Sequence, residues 1–163
     1  MQDNPQPVLL ISGCLLGLPV RYDGGHKQDP FLQEQLAKFF QLRAICPEAE
    51  AGYGVPREPM HLEGEPPRLV TNESGREVGE LLLTWCNKSM KELRCPPVCG
   101  AVLKARSPSC GVSPPSGLFA RHLLHHFPGM PVVNSEDIQE DTSLKNFIVQ
   151  ALDYYHSCSS SKG

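Results

Sequence analysis

The sequence predicts a single α/β domain with a mainly parallel, Rossmann-like sheet flanked by helices. Three observations carry this expectation. Val8-Leu9-Leu10-Ile11 and Val98-Cys99-Gly100-Ala101-Val102-Leu103 are continuous apolar runs of strand length, as in strands buried on both faces. Segments of helical periodicity alternate with the strands, the pattern of a sheet joined by right-handed crossovers. A chain of 163 residues, 40% hydrophobic and 20% charged, can bury a core without staples.

Taken in order, Val8–Ile11 is the first strand and runs directly into Ser12-Gly13-Cys14. Tyr22-Asp23-Gly24-Gly25-His26 reads as a turn with two permissive glycines. Asp29 is a helix N-cap with Pro30 at the first helical position, followed by the apolar stripe Phe31, Leu32, Leu36, Phe39 and Phe40. Ala44-Ile45 is a short strand leading into Cys46-Pro47-Glu48, and Leu69-Val70-Thr71 a short strand or hairpin arm. Leu81 to Leu93 is a helix whose start Gly79 weakens. Val98–Leu103 delivers the loop Lys104 to Gly111, Pro131-Val132-Val133 is a further short strand, and Leu144 to Tyr155 is an amphipathic helix. The domain is expected over residues 1–156, with 157–163 a frayed tail.

A net charge of -3 excludes a generally basic nucleic-acid coat while allowing a local basic patch. No apolar run reaches the length of a membrane span, and the start lacks the basic and apolar regions of a signal peptide. A cytoplasmic protein with reduced thiols is expected. Seven cysteines, an odd number, argue against a simple disulfide framework.

Cys14, Cys46 and Cys110 each follow a predicted strand, and Gly13, Pro47 and Gly111 beside them mark loop rather than core. Ligands of open α/β sheets bind outside the carboxyl ends of the strands, so these thiols are expected on one edge. On the residues alone, a shared metal or iron–sulfur site and three separate apolar fillers both stay open. Cys86, Cys99 and Cys158 read as fillers. Cys95 and Cys99 form a C-x3-C pair without the second pair that a zinc site needs.

Polar residues collect around the same loops. Glu48 is either a general base beside a ligand or a loop carboxylate paired with Arg57. Ser107 and Ser109 either move protons or cap the turn at Pro108. Lys104 and Arg106 either hold a substrate or are solvated loop charges, and Tyr22, Asp23 and His26 either wall a pocket or form an ordinary turn. His122, His125 and His126 read as surface residues.

Ser12-Gly13-Cys14-Leu15-Leu16-Gly17, Tyr22-Asp23-Gly24-Gly25-His26-Lys27, Cys46-Pro47-Glu48 with Gly54-Val55-Pro56-Arg57, and Lys104-Ala105-Arg106-Ser107-Pro108-Ser109-Cys110-Gly111, in that order, resemble the thiouracil desulfidase family. The resemblance runs from about residue 8 to residue 135. It implies an α/β domain carrying a four-iron four-sulfur (4Fe-4S) cluster on Cys14, Cys46 and Cys110, with one iron free of protein ligands. It also implies hydrolytic release of hydrogen sulfide from thiolated uracil-type bases, with Glu48 and Ser107 catalytic. Tyr22, Asp23, His26, Lys104, Arg106 and Ser109 are the expected substrate-binding residues. The expected partner is a small thiolated pyrimidine base or nucleoside rather than thiolated transfer RNA, because no added domain follows. The cysteines and Pro96-Pro97 within Trp85 to Cys99 depart from the family pattern. A cluster-binding sensor or sulfur carrier and a three-cysteine zinc hydrolase are the rival readings.

Overall fold

A computed structural model of the chain describes residues 5–94 and 97–160. In chain order the elements are β1 (Val8–Ser12), α1 (Pro30–Ala37), β2 (Gln41–Ile45), α2 (Pro47–Ala51), β3 (Met60–Glu63), β4 (Arg68–Thr71), α3 (Gly79–Glu92), β5 (Val98–Leu103), α4 (Leu118–His126), β6 (Val132–Asn134) and α5 (Asp141–Ser160), with 3-10 turns at Gly13–Leu16 and Ser135–Ile138. β1 is buried throughout, as is β5, which is why both read as unbroken apolar runs.

Four parallel strands lie in the order β2-β1-β5-β6. Alternate side chains of β1 enter two separate cores. Val8 and Leu10 pack with Leu82, Cys86, Met90, Phe119 and Leu123 of α3 and α4. Leu9 and Ile11 pack with Leu32 and Leu36 of α1 and with Leu144, Phe147 and Ile148 of α5. The domain is therefore an α/β/α sandwich, the fold class read from the sequence. Val8 pairs with Val98 but Leu9 with Gly100, so Cys99 is the extra residue of a β-bulge.

Asp29 caps α1, its carboxylate accepting the amide of Leu32 at 3.1 Å, with Pro30 in the first turn. The apolar stripe is narrower than its sequence. Leu32, Leu36 and Phe40, four apart, are buried, while Phe31 and Phe39 are 42% and 44% exposed. Helix α3 starts at Gly79 and buries Leu82, Cys86 and Met90, leaving Leu81 and Leu83 outside. The Leu69–Thr71 segment is one arm of the antiparallel β3–β4 hairpin, with Met60 opposite Thr71. Helix α4 was not anticipated; it buries Leu118, Phe119, Ala120 and Leu123 and turns His125 outward.

The expected tail from residue 157 is corrected by α5, which continues to Ser160. Ser157 and Ser159 donate their hydroxyls to the carbonyls of Asp153 and Tyr155, each at about one helical turn's reach (2.9 and 3.0 Å). That back-bonding satisfies serines which in sequence look like loop. Cys95 falls outside the described residues, so the C-x3-C pair is represented by Cys99 alone, 1% exposed in the sheet.

Candidate metal centre

The carboxyl ends of β1, β2 and β5 open onto one cavity of about 370 Å³. Cys14, Cys46 and Cys110 all line it. Cys14 sits in the 3-10 turn after β1, where its carbonyl accepts the amides of Gly17 (3.3 Å) and Lys27 (2.9 Å). Cys46 is the N-cap of α2, its amide donating to the Glu50 carboxylate at 2.7 Å and its thiol lying 3.7 Å from the Val20 carbonyl oxygen. Cys110 ends the loop after β5 and is 6% exposed.

Burial is the main force pushing all three thiols above their ordinary range. At Cys110 the Ser12 hydroxyl opposes it, whereas Glu48, Cys46 and Cys14 reinforce it. Cys46 likewise raises Cys14. Cys110 thus feels both other thiols and Cys14 feels Cys46, which links the three sulfurs electrostatically. Such a set keeps its protons until a bound cation compensates the thiolates.

Among the described residues, no three His, Cys, Asp or Glu side chains gather closely enough to hold a single metal ion. A mononuclear zinc site would need donors at about 2.0–2.3 Å from one point. The three thiols instead ring a cavity, an arrangement that suits a multinuclear centre with one ligand from each wall. Ser109, next to Cys110 in the chain, has a buried hydroxyl without a partner among the described residues.

The Lys104–Gly111 loop is held at both ends. The Lys104 amide donates to Ser12 Oγ at 2.9 Å, and the Val112 amide donates to Asn134 Oδ1 at 2.9 Å. Arg106 takes a left-handed backbone (φ 62°), and its guanidinium grips Glu136 through two bonds of 2.8 and 2.6 Å. Ser107 Oγ accepts the amides of Ser109 (3.2 Å) and Cys110 (3.1 Å). Gly117 makes this packing possible: a Cβ there would lie 2.4 Å from the carbonyl carbon of Ser109.

Of the other expected site residues, Glu48, Ser107, Tyr22, Lys104 and Arg106 line the cavity. The Arg106 guanidinium is engaged by Glu136, and Lys104 Nζ donates to the Ala105 carbonyl at 3.2 Å. Asp23 and His26 are exposed and serve their own turn: Asp23 Oδ1 accepts the Gly25 amide and His26 Nδ1 the Gln28 amide. Ser109 is fully buried and does not line the cavity. Glu48 is half-buried on α2 and pairs with Arg57 at 3.4 Å, so the carboxylate both lines the cavity and has its counter-charge. Sequence reasoning passed over Ser12 as a site residue. The signal was its place at the last position of a fully buried strand, where only a bonded hydroxyl is tolerated.

The chain is an α/β/α sandwich of the open-sheet type, with thiols on three loops at the strand ends, the edge where such sheets take their ligands. The 2-thiouracil desulfurase family model matches residues 9–135, and the chain belongs to that family. It is 31% identical to the uncharacterized protein YbbK of Bacillus subtilis (strain 168) over 111 residues, 64% of this chain and 73% of YbbK. Its fold superposes on the solved 4Fe-4S-dependent thiouracil desulfidase TudS with a TM-score of 0.69 at 28% identity, covering 86% of this chain and 99% of TudS.

Proposed function

We propose that this protein is an iron–sulfur-dependent desulfidase that converts a thiolated uracil-type base, or its nucleoside, to the oxo base and hydrogen sulfide. The observation that carries the reading is a single strand-end cavity lined by Cys14, Cys46, Cys110 and Glu48 together. Membership of the family and likeness to TudS support it. No described helix is long and apolar enough to cross a membrane, which accords with a cytoplasmic enzyme.

Cys14, Cys46 and Cys110 would hold a 4Fe-4S cluster. When bound, the cluster supplies a thiophilic Lewis-acidic iron with one position not taken by protein. Glu48, lining the same cavity, takes a proton from the attacking water. Ser107 has its oxygen occupied by two amides, so its own proton is what it can offer the cavity. It relays a proton to the sulfur as the carbon–sulfur bond breaks and is reprotonated from the cavity, while Glu48 releases the proton it took from water, so both groups return to their starting states. Lys104, also on the wall, offsets negative charge that develops on the ring. The ring thiocarbonyl and water give the ring carbonyl and hydrogen sulfide, with no electron exchanged.

A sensor or sulfur carrier would not need Glu48 on the cavity wall. The test is anaerobic purification, iron and labile-sulfide analysis, and incubation with thiouracil. Protein holding the cluster and releasing sulfide stoichiometrically with uracil supports the proposal. Cluster-loaded protein that releases no sulfide overturns it, and colourless zinc-loaded protein favours the zinc hydrolase.

A further inference from the structure

Arg57 lies nine residues beyond Glu48, yet it ties the Val20–Tyr22 wall of the cavity to Glu48 on α2. Its side chain is 7% exposed, deep for an arginine. Nη1 donates to the Gly54 carbonyl at 3.0 Å and Nη2 to the Val20 carbonyl at 2.9 Å. Its backbone amide donates to the Tyr22 carbonyl at 2.8 Å. Two neutral acceptors on different segments thus fix the guanidinium plane, and the remaining Nε meets Glu48 Oε1 at 3.4 Å.

We infer that Arg57 is the positioning residue for Glu48. It anchors one carboxylate oxygen and leaves Oε2 with no hydrogen-bond partner among the described residues. A carboxylate anchored at one oxygen by a rigid planar fork keeps its orientation; a flexible one would spread over several rotamers and be misplaced for proton transfer. Lysine could supply the charge but not the fork that spans Val20, Gly54 and Glu48 at once. The same Val20 carbonyl lies against the Cys46 sulfur, so Arg57 also fixes the wall on which that cysteine sits. The inference rests on the reading of Glu48 as the proton acceptor, and it adds the residue that makes Glu48 usable.

Two measurements test it. Carbodiimide labelling of carboxylates, read by mass spectrometry on the purified protein, reports Glu48 directly. Arg57→Met is expected to label Glu48 several times faster than the native protein, Arg57→Lys at an intermediate rate, and Glu50 at an unchanged rate in all. Equal Glu48 labelling in native and Arg57→Met protein overturns the inference, whether or not thiouracil is a substrate. Arg57→Lys retains the charge, so it keeps the labelling test open should Arg57→Met not fold. The second measurement is a kinetic cycle on cluster-loaded protein. Arg57→Met should lower kcat about 100-fold with little change in KM. Added to Glu48→Gln it should cost nothing more, because both act through one group. Independent, multiplying losses overturn the positioning role. Native protein that carries its cluster but yields no sulfide would instead sink the desulfidase reading, leaving the labelling result to decide Arg57.

Discussion

Ser107 Oγ accepts the backbone amide of Cys110 at 3.1 Å, so one hydrogen bond ties the loop's hydroxyl to the residue that carries its thiol. The same oxygen accepts the Ser109 amide, which makes Ser107 the organiser of the Cys110 turn, and the proposed function adds the role of proton donor on the cavity wall. Ser107→Ala removes both roles. It should lower kcat by about 10²–10³-fold as a lost proton donor and cost roughly 1 kcal/mol of apoprotein stability as a lost cap. Ser107→Thr retains the oxygen and should recover most of the stability. Steady-state kinetics and denaturant titration of the two variants check this.

Glu48 gives a cleaner separation, because among the described residues its carboxylate bonds Arg57 and not the Lys104–Gly111 loop. Glu48→Gln keeps the volume and removes the proton acceptor. The variant should retain native iron and sulfide content while kcat falls by about 10²–10⁴-fold. Iron analysis beside sulfide-release kinetics decides it; full activity in a cluster-loaded variant would remove Glu48 from the mechanism.

How much of this was legible in the sequence depends on whether a residue's neighbours are local. Cys14, Cys46 and Cys110 stood out because each follows a buried strand and is flanked by glycine or proline, and parallel topology then carries all three to one edge. Glu48 appeared either as a base or as the partner of Arg57; the ion pair forms, and the carboxylate still lines the cavity. Asp23 and His26 look like pocket residues in sequence, yet their side chains close a turn on themselves two residues on. Helix α4 was hidden because its capping residue, Gly117, follows a run of prolines and serines that reads as loop. Nothing short-range marked Glu136 as the partner of Arg106, thirty residues earlier.

Gly117 tests whether that loop has any slack. Alanine there would place a methyl 2.4 Å from the Ser109 carbonyl carbon and 2.8 Å from the Cys110 amide nitrogen, both backbone atoms that cannot step aside cheaply. Gly117→Ala should destabilise the protein by about 1–3 kcal/mol, and iron content should fall because the Cys110 turn is displaced. Gly75→Ala, with nothing within 4 Å of the added carbon, serves as a comparison at a position that strains only its own backbone. Iron retained in full by Gly117→Ala would show that the Cys110 loop tolerates movement.

The cysteines outside the site predict how the apoprotein responds to alkali. Burial pushes Cys86 and Cys99 up to about 12 from an ordinary 9.0. Each is fully or almost fully buried, so the neutral thiol is what the fold accommodates. In the unfolded chain these thiols ionise near 9, whereas in the folded chain they hold their protons to about 12. The folded pKa is the higher one, so their stabilising contribution is complete below pH 9 and is lost as the pH rises toward 12. A shift of about 3 units corresponds to at most ~4 kcal/mol per thiol across that window. Cys86→Ala should therefore be less stable than native apoprotein at neutral pH, where it leaves a small cavity, and should close or reverse that gap by pH 11–12, where the native thiol becomes a liability. Denaturant titrations of both proteins at several pH values between 7 and 12 measure the gap. A difference that stays constant across the range would mean that the Cys86 thiol is not held neutral by the fold.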